Sequence, residues 1–248
     1  MRVALIILYS GVVSCGVIAA EEHESKHAVD QLRAIGVRVF EDARTGEVTE
    51  IVANGNGKIR NKHLEIVARF PGLTDVSLEG TQVDSEGIRH LKVLKRIEWL
   101  NLFRCPVGDE GLKHLSGIAS LKLLPVGRSG VTDAGLLHVG RMENLEYLGL
   151  RGNDISCKGM MHLAGLKKLK GLHLGETKVR DAGLKNLKGL LNLEQLWLHD
   201  TAISDGVIDQ LGKFSRLREI DLRNSAVTTR GIARLHKLLP ECQVHHSH

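Results

Sequence analysis

Apolar residues in this chain keep two alternating rhythms. From Leu73 onward a short stretch with every second residue apolar is followed by a longer one with apolar residues three apart, and the pair returns every 24 residues. Seven such units begin at Leu73, Ile97, Leu121, Leu145, Leu169, Leu193 and Leu217, in unbroken register. Alternation marks a strand with one buried face, and spacing by three marks a helix with one buried stripe. Each unit is therefore predicted to be a short strand followed by a short helix. A unit of that size cannot cover its own apolar faces, so stability must come from stacking, strand beside strand in a parallel sheet with the helices behind it. The expected fold class is α/β, a curved solenoid with a parallel concave sheet and short helices on the convex side.

The shared pattern is L-x-x-L-x-L-x-x-T-x-V-T-D-x-G-L-x-x-L-x-x-L-x-x, and the fourth and fifth units, LEYLGLRGNDISCKGMMHLAGLKK and LKGLHLGETKVRDAGLKNLKGLLN, show how closely it is kept. The first, fourth and sixth positions are core leucines. The ninth is Thr81, Cys105, Ser129, Asn153, Thr177, Thr201 and Ser225, small side chains suited to satisfying backbone groups where the chain leaves the strand. The eleventh is always Val or Ile. Ser, Thr or Asp then stands before the helix, as in Thr132-Asp133 and Ser204-Asp205, where it caps free amides. Leu112, Leu115 and Ile118 show the helical spacing that follows.

The pattern resembles the leucine-rich repeat, particularly its 24-residue bacterial kind, and is similar to the cysteine-containing repeats of F-box/LRR proteins. The resemblance runs from about Val48 to the C-terminus. It implies a recognition surface and brings no catalytic residues with it. It also implies a second functional class, the substrate receptor for ubiquitin transfer, but the segment ahead of Val48 is expected to be too short for an F-box, so only the recognition role carries over.

Residues 1–20 read as a signal peptide: Arg2, the apolar run Val3 to Ala20, a small-residue cleavage site after Ala19 or Ala20, and then Glu21 and Glu22. Val12-Val13-Ser14-Cys15 also resembles a lipobox, which would lipidate Cys15, and an uncleaved anchor is a third alternative. Membrane association is expected only in those two cases; the location expected is periplasm, cell envelope or outside the cell. Residues 21–47 are assigned to an N-terminal cap, with Ala28, Leu32 and Ile35 on one helical face, Gly36 as terminator and Val37-Arg38-Val39 as a strand. Residues 48–72 form a degenerate first repeat, residues 73–240 the seven regular repeats, and residues 241–248 a C-terminal cap and polar tail. Pro240 stops the last helix, and Cys242 to Val244 offer a final half-strand.

Composition sharpens the picture in several places. A chain that is 42% hydrophobic and 25% charged is an ordinary folding chain. The formal net charge of +5 does not point to nucleic acid, because lysines such as Lys92, Lys113, Lys167 and Lys185 fall on the solvated helix face. After signal removal Cys105, Cys157 and Cys242 remain. Two strand spacings, roughly 10 Å, separate Cys105 from Cys157, beyond the roughly 7 Å limit for a disulfide; Cys105 reads as a ninth-position turn residue. His90, His114, His138 and His162 recur at the eighteenth position and suggest a metal ladder. Helices about 8–10 Å apart cannot bring two of them within about 2 Å of one ion, so the row is expected to be convex surface. No metal or cofactor is expected.

The working surface follows from strand register. Third, fifth and seventh positions alternate with buried leucines and must face outward on the concave sheet, with the eighth at its rim. Those positions hold Trp99, Phe103, Tyr147 and Trp197, in a chain with only 3% aromatic residues. Asn101, Arg104, Leu123, Pro125, Arg128 and Arg151 join the first three, and His173 and His199 join Trp197. Acidic residues flank the group: Asp75 and Glu79 before it, and Glu176, Asp200, Glu219 and Asp221 after it. Aromatic and arginine enrichment is the compositional mark of binding surfaces. The candidate partner-binding residues are therefore Trp99, Asn101, Phe103, Arg104, Leu123, Arg128, Tyr147, Arg151, His173, Trp197 and His199.

Catalytic signatures are missing: the sequence holds no G-x-S-x-G, no H-E-x-x-H, no C-x-x-C and no complete phosphate loop. The function expected is non-catalytic binding of a protein or peptide, with an envelope polysaccharide as the alternative ligand, since stacked aromatic platforms also suit sugars. A site assembled from several repeats is the remaining enzymatic alternative.

Overall fold

In a computed structural model of the chain, residues 23–247 are described; the signal-peptide reading of residues 1–20, Cys15 included, lies outside them. Each regular unit places a three-residue strand at its third to fifth positions, within the stretch where core leucines alternate. In the fourth unit Leu145, Leu148 and Leu150 are fully buried, as are Ile155, Met160, Leu163 and Leu166 further along. The strands are β3 (Asp75–Ser77), β4 (Trp99–Asn101), β5 (Leu123–Pro125), β6 (Tyr147–Gly149), β7 (Gly171–His173), β8 (Gln195–Trp197) and β9 (Glu219–Asp221). Before them come α1 (residues 23–34), β1 (Arg38–Glu41) and β2 (Val48–Val52), and after them β10 (Gln243–His245). The ten strands form one sheet in chain order. Every pair from β2 to β10 is parallel, with third position facing third position: Asp75 pairs with Trp99, Trp99 with Leu123, and Leu123 with Tyr147.

The helices are short because the chain must return to start the next strand within 24 residues. They are α2 (Asn61–Val67), α3 (Ser85–Ile88), α4 (Gly108–Leu115), α5 (Asp133–Val139), α6 (Asp181–Leu184), α7 (Ile208–Leu211) and α8 (Thr229–Leu238). The fourth unit has only a 3-10 helix, Gly159–Gly165. The fold is the expected α/β repeat solenoid, an open sheet with helices along one side. At the N-terminus β1 runs antiparallel to β2. The cause is a tight turn: Asp42 accepts hydrogen bonds from the Arg44 and Thr45 amides and the Thr45 hydroxyl, and Gly46 adopts φ 72°.

Polar ladders join the units. At the ninth position, Cys105 Sγ, Ser129 Oγ and Asn153 Nδ2 donate to the Leu78, Leu102 and Val126 carbonyls of the preceding unit, at 2.9, 2.8 and 2.7 Å. Thr177, Thr201 and Ser225 instead donate to the carbonyl three residues back in their own unit. A second ladder runs along the helix starts. Asp109, Asp133, Asp181 and Asp205 each accept from the backbone amide and the hydroxyl of Thr132, Ser156, Ser204 and Thr228 in the next unit, at 2.5–2.8 Å. Thr132, Ser204 and Thr228 in turn cap their own helices. Cys157 occupies the aspartate's place at a junction where Arg180 replaces Ser or Thr, and its thiol reaches only the Arg180 carbonyl, at 3.7 Å. A third ladder alternates in sign at the second position, where Lys122 pairs with Glu98 at 2.8 Å and Lys170 with Glu146 at 2.6 Å.

Candidate functional site

The sheet face turned away from the helices carries the third, fifth, seventh and eighth positions in four parallel rows. Because neighbouring strands lie about 4.8 Å apart and pair in register, each row sets consecutive units side by side. The third-position row reads Glu50, Asp75, Trp99, Leu123, Tyr147, Gly171, Gln195, Glu219. Three large apolar side chains therefore sit together, bounded by carboxylates at both ends. Leu123 is 39% exposed, while Trp99, Phe103, Tyr147, His173 and Trp197 are half-buried.

The half-burial has a definite source, since the rings lie across neighbouring strands instead of standing into solvent. A Cβ on Gly127 would come within 2.9 Å of the Phe103 ring, one on Gly171 within 2.7 Å of Tyr147, and one on Gly175 within 2.5 Å of His199. Glycine at these positions is what lets the rings lie down. β7, with Gly171 and then Gly175 just beyond it, forms a floor on which aromatics from both sides converge. Tyr147 meets Trp197 edge-on at 6.1 Å, His173 stacks on Trp197 at 5.4 Å, and His173 meets His199 edge-on at 5.2 Å. The two clusters separated on the sequence are thus one patch.

Of the eleven sequence-selected residues, two are not outward contact surface. Asn101 and His199 are each only 8% exposed. Asn101 is drawn inward because Nδ2 donates to Glu79 at 3.1 Å and Oδ1 accepts from the Phe103 amide at 3.0 Å. His199 is covered because it lies over Gly175, and its Nδ1 donates to Asp200 at 2.8 Å.

The eighth position is where the backbone itself is unusual. Arg104, Arg128, Glu176, Asp200 and Asn224 all hold φ between 52° and 59°, the left-handed region, and Gly80 and Gly152 fill the same position in the remaining units. Side chains other than glycine are strained there by about 1–2 kcal/mol each. Five units accept that strain and thereby hold a charged or polar side chain at the sheet rim. Arg104 stacks over the Phe103 ring, 5.2 Å from its centroid, and among the described residues no carboxylate pairs with it. Arg128 and Arg151 share one acid, Glu176: Arg128 Nη2 lies 2.5 Å from one oxygen, and Arg151 binds the other. A shallow cleft of about 410 Å³ opens between Arg104 and Arg128.

Charge follows the same geography. The Arg151 and Arg128 guanidiniums hold the Glu176 carboxyl below the usual carboxylate range, and the His199 and Asn224 hydrogen bonds do the same for Asp200. Burial, reinforced by His199 and Arg151, pushes His173 down to about 4, so it is neutral at physiological pH. Glu176, His199 and Asp200 are close enough for one cation. The donor set fits one poorly, however, since both Glu176 oxygens already carry arginine and the His199 proton on Nδ1 is committed to Asp200. The three described cysteines are free; burial raises Cys105, and pushes Cys242 up to about 11, so neither offers a thiolate at neutral pH.

Comparison with known proteins agrees with this architecture. The family profile described as Leucine Rich repeat matches residues 98–116, one unit of the seven. Internalin C2 from Listeria monocytogenes is similar in structure, with a TM-score of 0.63 and 26% identity over 81% of this chain and 81% of that one. A leucine-rich-repeat protein of Leptospira interrogans aligns with a TM-score of 0.54 and 17% identity, over 73% of this chain and 56% of that one. The ectodomain of the plant membrane receptor kinase GASSHO1/SCHENGEN3 from Arabidopsis thaliana, solved in complex with CASPARIAN STRIP INTEGRITY FACTOR 2, aligns with a TM-score of 0.56 and 15% identity over 84% of this chain and 25% of that one. No curated protein sequence matches the chain. Repeat register, sheet topology and these likenesses define a leucine-rich-repeat solenoid, and the chain is a leucine-rich-repeat protein.

Proposed function

We propose that the protein is a non-catalytic scaffold that binds a protein or peptide on its concave sheet face in an extracytoplasmic compartment. One observation carries the reading: both tryptophans, Phe103 and Tyr147 lie on that face, and Tyr147 and Trp197 converge with His173 around the β7 floor, where Gly171 leaves the repeat without a side chain. Aromatic and arginine side chains at the centre of a surface, with polar groups around them, are the arrangement from which binding energy is drawn. Elsewhere leucine-rich-repeat folds serve as binding scaffolds, and the plant receptor ectodomain above was solved in complex with CASPARIAN STRIP INTEGRITY FACTOR 2. Export rests on the N-terminal sequence pattern, and no helix among the described residues is long and apolar enough to cross a membrane.

Affinity capture from solubilised cell envelope tests this, comparing the mature chain with a Trp99→Ala/Tyr147→Ala/Arg151→Ala variant whose fold is checked by circular dichroism. A partner held by the first and lost by the second supports the concave face. Equal capture by both moves recognition to the helix side or a cap.

A further inference from the structure

The concave face is charged in three zones along the solenoid. At the N-terminal end Glu50, Asp75 and Glu79 outnumber Arg38 of β1 on the face, and among the described residues no basic side chain pairs with any of the three. In the centre Arg104, Arg128 and Arg151 face a single acid, Glu176, so the zone stays positive. Toward the C-terminal end Asp200, Glu219 and Asp221 outweigh Arg223, which is already bound to Asp221 through two nitrogens. The strip of Trp99, Leu123 and Tyr147 runs beside the positive zone, and the cleft between Arg104 and Arg128 opens at its rim.

We propose that this face takes an extended peptide segment of one charge pattern: an acidic side chain beside a large apolar one at its centre, and basic residues toward its ends. This rests on the binding role proposed above and specifies its ligand. Arg104 is the element that selects the acid. It carries an uncompensated guanidinium, fixed by the Phe103 ring beneath it and by a strained backbone, and it borders the cleft where a carboxylate can receive parallel N–H bonds. The carboxylates on either side do two things. They attract basic flanks, and they repel a uniformly acidic chain, which a central arginine pair alone would also accept. Discrimination of that kind comes from the unfavourable contacts as much as from the favourable ones.

A random twelve-residue peptide library displayed on phage, selected on the mature protein, reads the preference directly, whatever the natural partner is. The expected winners place Asp or Glu next to Leu, Phe, Tyr or Trp in the middle, with Lys or Arg toward the ends. A synthetic winner followed by fluorescence anisotropy should weaken about tenfold or more on Arg104→Glu, and selection repeated on that variant should replace the central acid by Lys or Arg. Winners that lack the acid, or that bind the Arg104→Glu variant unchanged yet lose affinity on Trp99→Ala/Tyr147→Ala, overturn the charge pattern and leave the concave-face role standing. Winners indifferent to both changes overturn the role as well. A library that yields no enriched sequence overturns the peptide proposal, and binding on a glycan array by the same protein would then replace it with a carbohydrate.

Discussion

A single residue type at one position shows how strain and function meet in this molecule. The eighth position requires a left-handed backbone, glycine satisfies it without cost, and yet five units carry Arg, Glu, Asp or Asn there. Strain of this kind persists where the surrounding structure enforces it, and it gathers at functional sites. Arg104 is the informative case because no carboxylate offsets its strain. Arg104→Gly should raise the free energy of unfolding by about 1 kcal/mol, less the extra chain entropy glycine brings to the unfolded state, and should weaken binding at the same time. Urea denaturation of the two proteins measures the first effect; a variant less stable than the parent would mean that the stacking on Phe103 outweighs the strain. His173 makes a second residue-level prediction. Its folded-state value, about 4, lies below the ordinary histidine value of 6.5, so between those limits the unfolded chain binds more protons than the folded one. Stability is therefore complete above pH 6.5 and falls as the pH is lowered toward 4. Discounted for the partial exposure of the ring, the loss is on the order of 1–2 kcal/mol. His173→Gln should flatten that part of the profile of unfolding free energy against pH.

At the scale of the element, what could be read from the sequence and what could not divide along a physical line. Strands, helices and the ninth-position contacts were legible because each depends on the unit's own periodicity or on its contact with the unit before it. The antiparallel β1 was not, because its direction is set by the Asp42–Gly46 turn and not by any apolar pattern, although the Asp-x-x-Thr-Gly sequence there is a usable turn signal. The outward rows of the candidate site were legible from alternation. The glycine floor under the aromatics, the burial of Asn101 and His199, and the sharing of Glu176 were not, since they arise between side chains of different units. The same contrast explains Cys157. Its identity has no logic within its own unit, but in the stack it stands where Asp109, Asp133, Asp181 and Asp205 reach across to the next helix start. This missing link falls in the unit whose helix is only 3-10; the ladder is also interrupted between Ser85 and Gly108, whose amide donates instead to the Ser129 carbonyl. Completing it with Cys157→Asp/Arg180→Thr adds two hydrogen bonds of about 0.5–1.5 kcal/mol each. The double variant should be more stable by roughly 1–2 kcal/mol, whereas Cys157→Asp alone, which can take only the Arg180 amide, should gain about half of that. Denaturation of all three proteins gives the coupling directly, and equal effects of the single and double changes would exclude the ladder as its cause.

Taken whole, the molecule is a one-dimensional stack in which each unit touches its neighbours, so its ends decide how it fails. The N-terminal end is closed by α1 and by the turn of direction at β1, which leaves a short, charged edge strand. Among the described residues the C-terminal end is closed by β10, whose three residues pair with β9 and whose His245 carbonyl accepts the Leu222 amide. Removing residues 241–248 would bare the β9 edge, free that amide, and expose the last core layer of Ile220, Leu222 and Leu235. Two consequences follow from nearest-neighbour stability. Amide exchange should accelerate first in the seventh unit and then in the sixth, while protection in β3 to β6 stays near its original level. The bared parallel edge should also promote self-association, which the net charge of +5 opposes and added salt therefore strengthens. Hydrogen exchange by mass spectrometry and sedimentation at two ionic strengths measure these separately. Uniform loss of protection along the chain would show that the stack unfolds as one cooperative body, and the inter-unit ladders would then couple the repeats more tightly than local packing alone.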